Sequence, residues 1–171
     1  MRFNEAPERF DALYRPRRPG QLDLSGDREV MGFLAHQGKR TDWATSVCTG
    51  SVILGAAGLL NGHRAATSWA GRDVPRPFGA IPVPKRVVID RNRITAGGVT
   101  AGIDFGLSLL LEIFGPEMAQ VTQLLMEYDP HPPVDAGSID RTGERIAKMA
   151  MEVLAPVAER NLSALASHLD A

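Results

Sequence analysis

The sequence holds a single cysteine, Cys48, among 171 residues. It can therefore form no internal disulfide and no cysteine-rich metal site. It has no run of about 18 apolar residues, so no segment reads as a membrane-spanning helix. The opening stretch, MRFNEAPERF, lacks the apolar core of a signal peptide. Together these absences predict a cytoplasmic protein in a reducing compartment, with no membrane partner. Excess charge of either sign is also missing: the net charge is -1. No global basic field points to nucleic acid and no acidic tail points to a solvating segment. Arg15, Arg17 and Arg18 form a local basic cluster, which reads as solvated surface. No internal repeat or low-complexity tract is found. What remains is ordinary for a globular chain, with 44% hydrophobic and 23% charged residues and enough length for one domain with its own core.

Along the chain, residues 10–14 (FDALY) read as a short buried strand that ends at Pro16, before a Pro19-Gly20 turn signal. Asp27 is placed to cap a helix whose apolar face is Val30, Met31, Phe33 and Leu34, closing near Gly38 and Lys39-Arg40. Residues 43–47 read as a second strand and 50–60 (GSVILGAAGLL) as a helix rich in small residues, stopped at Asn61-Gly62. Residues 64–69 suggest a short strand, and 87–90 with 93–95 a hairpin about an Asp90-Arg91-Asn92 turn. Helices are predicted over 100–114, over 117–128 and, after a proline-rich loop (DPHPPVDAGS), over 145–168, the last interrupted or restarted at Pro156. Alternating strands and helices predict an α/β fold with a mostly parallel sheet and helices on both faces.

The chemistry concentrates in Thr45-Ser46-Val47-Cys48-Thr49-Gly50-Ser51, where a strand runs into a helix with cysteine at the junction. The first N–H groups of a helix lack intrahelical partners and its dipole is positive there. A thiolate so placed is stabilised. Negative charge developing on a substrate can be held by the same N–H groups, Thr49 foremost. Gly50 removes side-chain bulk where a substrate would approach. This is the layout of a nucleophile elbow. On the turn alone the alternative stays open that Cys48 is a small buried hydrophobe.

Three segments carry a family resemblance. TSVCTGSVILGAAGLLNGHRAATSWA is similar to the cysteine-elbow segment of the ThiJ/PfpI superfamily. RNRITAGGVTAGIDFGLSLL resembles its glycine-rich turn and following helix, and MEYDPHPPVDAGS a loop of the isocyanide hydratase-like branch. The likeness spans residues 10–138, within a single domain over 1–171 whose residues 139–171 form C-terminal helices. It implies a flavodoxin-like three-layer sandwich and a homodimer. It further implies a small-molecule substrate, no metal or organic cofactor, and Cys48 as the nucleophile that adds to an isocyanide carbon.

Four departures accompany the resemblance. Relatives carry additional strands before the segment matching FDALY, including the acidic residue that meets the cysteine, so the opening βαβ part is expected to be absent here. Pro16-Arg17-Arg18 stands where relatives have Pro-Gly-Gly, although Gly20 follows closely as a candidate for the substrate pocket. Ser68 occupies the position of a histidine in many members. Gln21–Gly26 (QLDLSG) looks locally like the acidic segment of the absent strand, which would make Asp23 the proton-handling acid. An ungapped alignment instead sets Asp23 in the turn after FDALY. The candidate residues are thus Cys48, Thr49 and Asp23 for catalysis, and Gly50, Gly20 and Ser68 for substrate and oxyanion binding. His36, His63, His131 and His168 are expected at the surface. Asp104 is expected to serve local hydrogen bonding or the helix dipole, while Glu127 and Tyr128 could line the site or an interface. The departures favour a second reading, a non-catalytic relative that binds or senses, with Cys48 oxidation as its only chemistry. A hydrolase of the glutamine amidotransferase type would need a histidine and an acid that the sequence does not place.

Overall fold

The computed structural model describes residues 3–17 and 21–169. Among the described residues the central sheet has four strands. Strands β1 (Ala12–Arg15) and β2 (Trp43–Val47) enter first, and the antiparallel hairpin β5 (Val87–Asp90) and β6 (Arg93–Ala96) completes it in the order β1-β2-β6-β5. Between them β3 (Arg64–Ala65) and β4 (Ile81–Pro82) form a small parallel pair of their own. β1, β2 and β6 are mutually parallel, with Arg15 beside Ser46 and Val47 beside Ala96, so their carboxyl ends lie level. In open α/β sheets that end is where ligands bind.

Helices cover both faces. Helix α1 (Arg28–Arg40) starts at Asp27, whose carboxylate accepts the N–H groups of Glu29 and Val30 at 2.9 and 3.1 Å. This satisfies two donors that every helix start leaves open. Met31 and Leu34 of α1, with Val52, Ile53 and Leu54 of helix α2 (Gly50–Ala56), pack on Leu13 to form one core. On the opposite face Val47, Cys48, Ile94 and Ala96 meet Ala101 and Phe105 of helix α3 (Ala101–Phe114). Helix α4 (Pro116–Leu125) folds back on α3, and α5 (Ile139–Thr142) leads into the long α6 (Glu144–Leu169), which lies against the 3-10 turn Gln21–Gly26. The arrangement is the expected flavodoxin-like three-layer sandwich. Among the described residues no helix is long and apolar enough to cross a membrane.

Three expected elements differ. Helix α2 ends at Ala56, not near residue 60. Gly58 takes a left-handed φ of 73°. Gly58 N–H bonds the Gly55 carbonyl at 2.8 Å and Leu59 N–H reaches back to Leu54 at 2.9 Å. These two bonds make a Schellman stop, and Leu54 and Leu59 supply its hydrophobic contact in the core. The strand expected over 64–69 shrinks to Arg64–Ala65, because Ala66 bonds side chains in place of a strand neighbour. Helix α6 runs unbroken through Pro156. Pro156 and Glu152 are both exposed, so water can reach the carbonyl that the proline leaves without a donor.

Candidate active site

Cys48 follows the last residue of β2, and its φ of 60° lies in the left-handed region. A side chain there is strained, and such strain is characteristic of reactive turns. The surroundings fix it from both sides. The Cys48 N–H continues the sheet ladder to the Ala96 carbonyl at 2.9 Å. Its own carbonyl accepts the Thr67 hydroxyl at 2.7 Å and the Ser51 N–H at 3.4 Å. The residue is 3% exposed and packs with Val47, Ile94, Ala96, Ala101 and Phe105.

The next two residues turn the chain into α2. Thr49 is half-buried and helical in conformation, and its side chain makes no capping bond. A Cβ on Gly50 would lie 2.0 Å from the Arg15 carbonyl oxygen. Only glycine lets α2 start this close to the end of β1.

Beneath the elbow runs a buried network of hydroxyls. Ser46 and Ser51 Oγ atoms are 2.9 Å apart, and Ser51 donates to the Ala66 carbonyl at 2.6 Å. Ala66 N–H bonds Thr95 Oγ1 at 2.8 Å, and Thr45 donates to Leu13 O at 3.0 Å. These hydroxyls tie the segment 66–67 to the ends of β2 and β6 and so hold Thr67 against Cys48. At the exposed rim Tyr14 stacks on Phe105, with ring centroids 5.4 Å apart and planes 16° apart. Partial burial pushes the Tyr14 phenol up from its ordinary value.

The structure unites Cys48, Thr49 and Gly50 in one turn. Ser68 is half-buried one residue beyond Thr67 and caps the 3-10 turn Trp69–Gly71, with no side-chain capping bond. Asp23 is exposed on the 3-10 turn Gln21–Gly26, whereas Cys48 is buried. Gly20 lies outside the described residues. Thr67, Ser46, Ser51 and Thr95 were not anticipated. The available signal was hydroxyl residues near the ends of β2 and β6, in T45-S46 and T95, at the start of α2, in S51, and just after β3, in T67-S68.

His63 corrects an expectation. It is not a surface residue, its side chain being 12% exposed. It lies at the opposite end of the sheet, 3.7 Å from the Asp90 carboxylate. Burial pushes its imidazole below the ordinary value. The Arg91 and Arg93 guanidiniums act the same way, against the pull of Asp90. Asp90 is itself held low, first by the Arg64 N–H at 2.7 Å and then by Arg91. His36 and His131 are exposed as expected. Among the described residues no group of three His, Cys, Asp or Glu side chains is placed to hold a metal ion.

The DJ-1/PfpI family model matches residues 7–112. The chain belongs to the DJ-1/PfpI family. Within it, the chain is similar to an isonitrile hydratase from Pseudomonas putida, 45% identical over 154 residues, covering 90% of this chain and 67% of that protein. It also resembles the HTH-type transcriptional regulator CdhR of Pseudomonas aeruginosa, 41% identical over 73 residues, but these cover only 42% of this chain and 22% of the regulator. Among solved structures, a ThiJ/PfpI family protein from Pseudomonas syringae superposes with a TM-score of 0.86 at 42% identity, covering 95% of this chain and 67% of that one. The chain thus spans about two thirds of the length of its hydratase relative.

Proposed function

We propose that this chain acts as a cysteine-dependent isocyanide hydratase, with Cys48 as nucleophile. The observation that carries this reading is the left-handed φ of 60° at Cys48 on the strand-to-helix turn. The 45% identity to an isonitrile hydratase over most of the chain supports it. In this reading the Cys48 thiolate adds to the terminal carbon of R–N≡C, and that carbon takes a proton to give the thioimidate R–N=CH–S–Cys. Water then adds to the same carbon. Collapse breaks the C–S bond, releases R–NH–CHO and returns the thiol. The backbone of Thr49 and Gly50 holds the charge that develops during addition. The proton donor is not assigned to a side chain of this chain: Asp23 was the sequence candidate, and it lies exposed on its turn.

The test is formamide production from cyclohexyl isocyanide, followed by proton NMR, for the wild type and for Cys48→Ser. Formamide formed by the wild type and lost in Cys48→Ser supports the reading. No formamide above the buffer rate would overturn it.

A second reading has its own support. The likeness to the regulator CdhR favours a non-catalytic module that binds a small molecule or registers Cys48 oxidation. It predicts no turnover, together with a Cys48 sulfenic acid that thiols reverse.

A further inference from the structure

We propose that Asp104 is a positioning residue for the Cys48 site, and that with Arg86 and Tyr128 it clamps the first turn of α3 against the cysteine elbow. The proposal rests on the reading of Cys48 as the reacting group.

Three segments meet at this carboxylate. Arg86 stands just before β5 and pairs through Nε with one oxygen of Asp104, while its Nη2 donates to Thr100 Oγ1 at 3.3 Å. The other carboxylate oxygen accepts the Tyr128 hydroxyl at 2.8 Å. Tyr128 lies just beyond α4 and is aimed by a tightly bonded turn. Glu127 adopts a left-handed φ of 48°. Tyr128 N–H bonds Gln123 O at 3.1 Å, and the Gln123 side chain donates back to Tyr128 O at 3.1 Å. A non-glycine residue held left-handed by such bonds is a position the surroundings over-determine.

The inner side of the same helical turn faces the cysteine. Ala101 and Phe105 are buried in the cluster that contains Cys48. A Cβ on Gly102 would sit 3.8 Å from a Val47 methyl. The lead into the turn adds little to this packing. Gly97-Gly98 leads into it without side chains, and around Gly98 the space is open. Thr100 supplies no side-chain cap. Along α3 only Ala101 and Phe105 are buried. The turn that packs against Cys48 on its inner side is thus held on its outer side by the polar clamp. Asp104 itself is 29% exposed and lies outside the cluster around the thiol, so its action on Cys48 passes through α3.

Two measurements test this on the full chain: amide hydrogen exchange resolved over residues 98–106, and the rate of Cys48 alkylation by iodoacetamide from pH 6 to 9. Tyr128→Phe and Asp104→Asn are each expected to speed exchange over 98–106 by about five- to tenfold, the effect of losing one ordinary hydrogen bond at a part-exposed site. Both should shift the Cys48 alkylation profile, with exchange in β2, β6 and α1 unchanged. Arg86→Met should behave alike and Arg86→Lys should restore part of the protection. Wild-type exchange over 98–106 in both variants would overturn the proposal. So would a uniform rise across the domain with an unaltered alkylation profile, which would mark a general contribution to stability. A wild-type Cys48 that alkylates no faster than a free thiol would remove the hydratase reading, and the exchange arm would still decide the clamp.

Discussion

The Thr67 hydroxyl donates a 2.7 Å hydrogen bond to the main-chain carbonyl of Cys48. That carbonyl belongs to a residue held in the left-handed region, so the bond restrains the strained peptide of the elbow. Thr67→Val keeps the shape and removes the donor. We expect a loss of about 1 kcal/mol in urea denaturation, the usual worth of one hydrogen bond. We also expect slower alkylation of Cys48, and recovery of both in Thr67→Ser. Wild-type alkylation by Thr67→Val would show that this bond does not govern the thiol.

Two glycines separate steric from conformational demand. Gly50 has an ordinary helical backbone, but a Cβ there would lie 2.0 Å from the Arg15 carbonyl oxygen and 3.3 Å from Ser46 Cβ. The first contact is with backbone, so nothing flexible can yield. Gly50→Ala should push α2 off β1 at a cost of about 3 kcal/mol or more. Gly58 has φ of 73° and nothing within 4 Å. Gly58→Ala should cost only about 1–2 kcal/mol from the left-handed conformation. Equal denaturation midpoints for the two variants would contradict this account.

The sheet was legible because its signals are local. Residues 43–47 form a run that is buried from Ala44 on, and residues 87–96 enclose a turn that reads as a hairpin. Asp27 announced α1 by the chemistry of its cap. The cysteine elbow was legible as a junction, since a strand and a helix meet there with glycine two residues on. What escaped depends on distant partners. The stop of α2 at Gly58 needs Leu59 to find Leu54 in the core, and residues 66–67 leave strand geometry only because Ser51, Thr95 and Cys48 offer them other bonds. His63 looked like a surface residue because nothing nearby in sequence shows that Asp90, 27 positions on, folds over it.

The Ser46–Ser51–Ala66 chain should behave as a unit. Ser51 is fully buried, shares a bond with Ser46 and donates to Ala66 O. Ser51→Ala leaves the Ala66 carbonyl without that donor and Ser46 without that partner, for a loss of about 1–3 kcal/mol. Ser46→Ala leaves the bond to Ala66 intact and should cost less. In a double-mutant cycle the pair should couple, with the double variant less damaged than the sum of the two single ones. Additive losses in denaturant midpoints would show that the two hydroxyls act independently.

The His63–Asp90 pair predicts two separate pH windows. The folded His63 lies below its ordinary value of 6.5, chiefly through burial. The unfolded chain therefore binds the extra proton first, and stability falls as pH drops below about 6.5, levelling once the folded imidazole is also charged. The difference in Tm between wild type and His63→Gln should show this step. Asp90 lies below its ordinary 3.8, first through the Arg64 N–H. Its contribution is present above that ordinary value and is lost only as pH falls through the lower folded one. The two are linked, because the Asp90 charge favours the imidazolium against burial, Arg91 and Arg93. Asp90→Asn should thus move the folded His63 titration to still lower pH and widen the first window. The His63 ring-proton shift, followed by NMR in both proteins, reads this directly. A titration that moves upward in Asp90→Asn, or stays in place, would mean the carboxylate 3.7 Å away does not act on the ring.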